Sequence, residues 1–143
     1  MNRLDAPSPL GYSCAGIVVA VASDVAEFKV GDRVACGGSS ANHAEIIALP
    51  KNLCTRIPEG VTFEQAAFTT LGSIAMQGVR QADLRIGENA VVIGLGLLGQ
   101  LTMQILNAGG IKAIGIDIDG KQVATAIKNG LKHCYERSRE DIE

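Results

Sequence analysis

Ten consecutive residues constrain this chain more than any others: Ala90-Val-Val-Ile-Gly-Leu-Gly-Leu-Leu-Gly99. Residues 90–93 form an apolar run with two valines and an isoleucine, which reads as a short buried strand. The run leads straight into Gly94-x-Gly96-x-x-Gly99, and the segment after it has helical character. A second apolar run, residues 111–116, then ends in Asp117. A glycine triplet alone is weak evidence in a chain with 17 glycines. The strand before it, the helix after it and an acid roughly 20 residues on together make the dinucleotide-binding fingerprint.

Each position in that fingerprint has a physical task. Gly94 permits the tight turn out of the strand, and Gly96 lets backbone approach a pyrophosphate with no Cβ in the way. Gly99 lets the following helix pack closely on the strand. That helix points unpaired N–H groups and the positive end of its dipole at the phosphates. Gly94, Leu95, Gly96, Leu97, Leu98 and Gly99 are therefore the candidate cofactor-binding loop, with Asp117 accepting from the ribose hydroxyls. A carboxylate there repels a 2′-phosphate, so NAD(H) is expected over NADP(H). The competing role for Asp117 is a helix cap, which Asp119 fits better, because Asp119-Gly-Lys-Gln122 has the form of a capping box.

The rest of the chain has two grammars. Up to about Pro58 it reads as strands and turns: Gly16-Ile-Val-Val-Ala-Val-Ala22, then Phe28-Lys-Val-Gly-Asp-Arg-Val-Ala35 around a Gly-Asp turn, then Ala44-Glu-Ile-Ile-Ala-Leu49 before Pro50. Such spacing predicts a barrel-like antiparallel sheet. From Thr62 helical signals take over. Thr62-Phe-Glu-Gln65 is a capping box, residues 72–80 a small-residue helix, and residues 84–89 a turn. After Gly99, Leu98, Leu101, Ile105 and Ala108 share one helical face and are expected in the core, with Gly109-Gly110 as the stop. Gly130 ends the next helix, and residues 131–135 predict a third strand. His133 there is read as a surface or packing residue. There is no internal repeat and no low-complexity linker.

Composition excludes several classes. A chain of 143 residues with 47% hydrophobic content is one domain or two small pieces. A net charge of −2 makes no electrostatic case for nucleic acid or an acidic membrane. No signal pattern opens the sequence and no apolar run approaches spanning length, so a cytoplasmic location is expected. Cys14, Cys36, Cys54 and Cys134 are scattered with no C-x-x-C, and read as small buried hydrophobes.

The order of motifs resembles the medium-chain dehydrogenase/reductase superfamily, which includes alcohol, threonine and sorbitol dehydrogenases and quinone reductases. The matching pieces are Gly16-Ile-Val-Val-Ala-Val, Val30-Gly-Asp-Arg-Val34, Ile57-Pro-Glu-Gly-Val-Thr-Phe-Glu-Gln-Ala-Ala67, the glycine motif and Asp117. The resemblance implies an α/β chain in which a partial GroES-like β-barrel region precedes the first half of a Rossmann doubly wound parallel sheet. Residues 1–80 would be the GroES-like segment with connecting helices, and residues 81–143 the NAD-binding half. It implies hydride transfer to or from nicotinamide.

The departures from the family pattern concern metal. Zinc-using members carry Gly-His-Glu before the first of these strands; here the triplet is Gly11-Tyr12-Ser13. The family's further cysteine ligand falls near Thr69, and of its structural-zinc cysteines only Cys36 stands between Arg33 and Ala44. Neutral phenol and hydroxyl groups are poor zinc ligands, so no zinc is expected. Carbonyl polarisation would then fall to a hydroxyl or backbone donors. Tyr12 and Thr69 stand in the matching neighbourhood, with simple packing of Tyr12 as the plainer alternative. The catalytic residues are left unassigned. At the adenosine end, the family's basic residue five places after the acid is replaced by Gln122, beside Lys121.

The resemblance begins part-way into the family's barrel and stops about half-way through its Rossmann domain. In the doubly wound order the glycine-motif strand is central, so with one half present residues 90–93 are expected to form an exposed apolar edge. The chain is read as a segment of a longer enzyme, or one that pairs with another copy. The leading function is a zinc-independent, NAD(H)-preferring oxidoreductase acting on a small alcohol, carbonyl or sugar-like substrate. The alternative is a non-catalytic NAD(H)-binding or oligomerisation module.

Overall fold

Backbone hydrogen bonding in the computed structural model, which describes residues 9–137, closes two separate three-stranded sheets. The chain divides into two compact units, Met1–Thr70 and Leu71–Glu143. No described helix is long and apolar enough to cross a membrane.

The first unit is built on antiparallel strands β1 (Ser13–Ile17), β2 (Arg33–Gly37) and β3 (Cys54–Arg56), in the order β1-β2-β3. Alternation along β2 sends side chains to two clusters. Val34 and Cys36 pack with Ala41, Phe28, Ile47 and Leu49, while Ala35 packs with Ile57, Ala66, Val61 and Phe63. The Gly-Asp turn forms as expected: the Asp32 carboxylate accepts from the Lys29 N–H at 3.0 Å, and Gly31 takes a positive φ of 94°. Arg33 then donates to the Val61 carbonyl at 2.7 Å and lies over the Phe63 ring. These charged positions of the Val30–Val34 motif therefore hold the turn and the sheet together.

Two strand expectations are corrected here. The β-branched run over residues 16–22 is strand only to Ile17, in a strand that begins at Ser13, and its hydrogen bonding to the neighbouring segment ends one residue later, at Val18. Residues 44–49 are not a strand. Ile47 and Leu49 reach the core as their alternation demands, but the segment joins neither ladder among the described residues. The third strand is instead β3, which follows a single 3-10 turn at Lys51–Leu53.

Helix α1 (Phe63–Ala66) opens with the predicted capping box. The Gln65 N–H donates to Thr62 Oγ1 at 3.3 Å and the Thr62 N–H to Gln65 Oε1 at 3.0 Å. Helix α2 (Thr69–Gln81) covers the predicted 72–80 and extends it at both ends.

The second unit alternates strand and helix: β4 (Asn89–Ile93), α3 (Leu97–Ala108), β5 (Lys112–Asp117), α4 (Gly120–Lys128) and β6 (Cys134–Glu136). Its strands are parallel, in the order β4-β5-β6. Strand β4 thus lies at an edge, with Val91 58% and Ile93 86% exposed, as the half-sheet reading anticipates. The third predicted strand exists, but starts at Cys134. Gly130 turns the chain at φ 89°, and the Leu131 N–H closes back on the Ala126 carbonyl at 3.1 Å, so Leu131 enters the core before the strand begins.

The expected core face of α3 is met only in part: Leu101 and Ile105 are half-buried. Leu98 is 42% exposed and Ala108 is exposed, whereas Met103, Leu106 and Gln100 are buried. Leucine, isoleucine and methionine recur on more than one face of α3, which offers periodicity more than one apolar stripe. The choice is made across the interface by Gly115 in β5, where a Cβ would fall 2.5 Å from Met103 Sδ and 2.6 Å from Leu95 Cδ2. A missing side chain on the sheet admits the Met103 thioether.

Candidate functional site

Strand β4 ends in a turn that only glycine accommodates well. Gly94 has a φ of 94°, and its N–H donates to the Ile116 carbonyl at 2.8 Å, extending the β4–β5 pairing by one step. Leu95 then drops into the core, fully buried. Gly96 stands at the N-cap of α3 with extended backbone, and no side chain caps the helix. By helix geometry the first-turn N–H groups have no intrahelical acceptor, so they face outward as anion donors.

The glycines serve by different means. At Gly99 a Cβ would sit 1.8 Å from the Gly94 carbonyl oxygen, so the start of α3 lies directly against the loop. At Gly96 a Cβ would meet nothing within 4 Å. The space beside the α3 N-terminus is therefore open at Gly96, and any side chain there would enter it.

Asp117 is joined to this loop directly. Its Oδ2 accepts from the Leu95 N–H at 2.6 Å and its Oδ1 from the Asp119 N–H at 2.8 Å. The Leu95 amide, then the Asp119 amide, hold its carboxyl below the usual carboxylate range. Asp117 is therefore charged at neutral pH, and each oxygen retains a lone pair for a further donor. Asp119 caps α4 through the Lys121 N–H at 2.9 Å, which leaves Asp117 free of that duty.

Two residues that sequence reasoning missed support the loop. Gln100, buried in α3, donates through Nε2 to the Leu95 carbonyl at 2.9 Å and accepts at Oε1 from Asn129 at 2.8 Å. Both polar ends of Leu95 are thus anchored by side chains, one from Asp117 and one from Gln100. The sequence signal was weak, because α3 carries a second glutamine, Gln104, which is exposed and needs no buried partner. The second is Gly115, a glycine interrupting a strand.

In the first unit, Tyr12 is half exposed. A Cβ on the preceding Gly11, whose φ is 93°, would fall 2.6 Å from His43 Cδ2, so the His43 ring lies against that turn. Thr69 Oγ1 donates to the Ala66 carbonyl at 2.7 Å, and Ser13 Oγ to the Ala67 carbonyl at 2.6 Å. Among the described residues no three His, Cys, Asp or Glu side chains converge as a metal site.

Comparison with known proteins matches residues 1–59 to the alcohol dehydrogenase GroES-like domain. D-guloside 3-dehydrogenase of Shigella flexneri is 33% identical over 135 residues, covering 93% of this chain and 38% of that protein. The chain is similar to the dehydrogenases and quinone reductases of the medium-chain superfamily. Quinone oxidoreductase of Pseudomonas aeruginosa, another relative, is 34% identical over 140 residues, 95% of this chain and 43% of its own. Quinone oxidoreductase of Escherichia coli, solved in complex with NADPH, superposes with a TM-score of 0.77 at 26% identity, over 96% of this chain and 42% of its own. The chain spans about two-fifths of the length of these relatives.

Proposed function

We propose that the loop Gly94–Gly99, the N-terminus of α3 and Asp117 hold the pyrophosphate and adenosine ribose of NAD(H). The whole protein carrying this segment is then an oxidoreductase that moves a hydride between that cofactor and a small alcohol, carbonyl or sugar-like substrate. The bound cofactor would supply the hydride acceptor or donor. This segment's own part is to bind and orient: the backbone N–H groups at the N-terminus of α3 take the phosphates, since those of Gly94 and Leu95 are already bonded, and the Asp117 carboxylate takes the ribose hydroxyls.

The observation that carries this reading is the pairing of a closed Gly99 with an open Gly96, beside a carboxylate fastened to the same loop. A preference for NAD(H) rests on the charge of Asp117, which repels a 2′-phosphate. Zinc independence rests on Tyr12 and Thr69 standing where the family's zinc enzymes carry ligands; metal analysis of the purified protein tests it, and stoichiometric zinc would overturn it.

Gly96→Val tests the binding site. Its φ of −64° suits any residue, so the variant should fold with a cost of at most about 1 kcal/mol. NADH affinity should fall at least tenfold with melting almost unchanged. Undiminished NADH binding by the variant would remove the pyrophosphate from this loop. The second reading, cofactor binding without turnover, draws on the same Tyr12 and Thr69 positions. A full-length protein that binds NADH and turns over no carbonyl or alcohol would decide for it.

A further inference from the structure

Three cysteines that are far apart in sequence stand in one row across the first sheet. The register pairs Cys14 with Cys36 and Cys36 with Cys54, so all three side chains leave the same face. They line one cavity of ≈ 240 Å³, together with Ile17, Ile47 and Leu49. Neighbouring strands lie about 4.8 Å apart, which puts the outer two cysteines roughly 10 Å from each other. Three thiolates around one metal must be far closer than that, so the row is a ladder of pairs and not a metal cage.

The two pairs are not equivalent. The Gly38 N–H donates to the Tyr12 carbonyl and the Val18 N–H to the Asp32 carbonyl, which extends the β1–β2 register in both directions. Alternation from those pairs makes Cys14–Cys36 a hydrogen-bonded pair. On the other side, the Ile57 N–H donates to the Arg33 carbonyl. Counting from there, Cys36–Cys54 is a non-hydrogen-bonded pair, the kind whose Cα atoms approach to about 4.5 Å with side chains closer still. That separation lies inside the range a disulfide spans. The two sulfurs are already 3.8 Å apart, with the Cys36 thiol donating to Cys54 Sγ.

We propose that Cys36 and Cys54 are a redox pair that closes to a cross-strand disulfide by exchange with a small-molecule disulfide. Cys54, the less buried of the two, attacks the small disulfide RSSR, forming a Cys54–SR bond and expelling one RS⁻. Cys36 sulfur then attacks Cys54 sulfur, forming the Cys36–Cys54 bond and expelling the second RS⁻. The two cysteine protons end on the leaving groups, so two thiols and RSSR give one disulfide and two RSH. Burial, with Cys54 beside it, pushes the Cys36 thiol up to about 12, which slows closure. The same disfavoured thiolate makes the reduced pair the poorer competitor once the bond has formed. The bond would fasten β3 to β2 and cross-link the segment between them.

The test treats the natively folded protein with 2-hydroxyethyl disulfide, isolates the monomer, and alkylates it in denaturant without reductant. Trypsin separates Cys14, Cys36 and Cys54 into different peptides, because Lys29 or Arg33 and Lys51 intervene. The expected product joins the Cys36 and Cys54 peptides, with Cys14 and Cys134 fully alkylated. Dithiothreitol should restore all four thiols, and Cys14→Ser should keep the cross-link. A dominant Cys14–Cys36 link, or a mixed disulfide that stays on Cys54, would overturn the proposal. So would unchanged thiols, or the same mixture of pairings that the denatured chain gives.

Discussion

Gly99 and Gly96 are three residues apart in one motif, yet substitution should separate them cleanly. A methyl group at Gly99 meets a backbone carbonyl at 1.8 Å, and backbone cannot swing aside as a side-chain tip can. Gly99→Ala should therefore destabilise the second unit by about 3 kcal/mol or more, read from denaturant unfolding. A cost under about 1 kcal/mol would show that the loop is not pressed on the helix. Asp117 adds a pH dependence. Its folded carboxyl lies below the unfolded value of about 3.9, so its contribution is complete above that value. The contribution fades as pH falls through the folded pKa. Asp117→Asn should thus narrow its stability deficit relative to the parent as acid titrates that carboxylate; a deficit constant down to about pH 2 would contradict the assignment. At this scale the sequence was highly informative, because glycine geometry and an acid at fixed spacing are local demands. Gln100 escaped because its partners, the Leu95 carbonyl and Asn129, come together only in the folded unit.

Helix α3 shows where local pattern stops deciding. Its start, its glycine stop and its length follow from sequence, but its buried stripe does not. Leucine, isoleucine and methionine recur on several faces, and the sheet partner settles which one turns inward. The consequence is measurable: Met103→Ala should cost about 2–5 kcal/mol, as deletions of fully buried side chains do, while Leu98→Ala should cost less than about 1. The reverse order would restore the Leu98 face as the core. The strands divide in the same way. Turn chemistry at Lys29–Asp32 and the capping box at Thr62 were readable because each closes within four residues. Residues 44–49 carry a strand's alternation and still pair with nothing described, since a strand needs a neighbour as much as a pattern. The cysteine row belongs here too. Scattered positions became aligned only through the register of three strands.

The molecule as a whole carries two chemistries on two units: a thiol ladder on the antiparallel sheet and a glycine loop on the parallel one. Among the described residues β4 has a single partner strand, with Val91 and Ile93 bare, which is a template for association. Sedimentation of the chain should show self-association that Ile93→Lys reduces; a monomeric parent at the same concentration would contradict this. Family and fold were both readable from the order of the motifs, because the matched pieces run nearly the whole length described. Substrate identity was not, because none of the motifs read from the sequence distinguishes one substrate from another. The loop and Asp117 are proposed as a nicotinamide dinucleotide site. It is tested most directly by fluorescence titration of the folded protein with NADH and NADPH, repeated on Asp117→Asn, which keeps an acceptor for the Leu95 N–H and loses the charge. NADH should bind at least tenfold tighter than NADPH, with the ratio collapsing in the variant. Equal affinities in the parent, or no binding by a chain whose circular dichroism shows it folded, would contradict it.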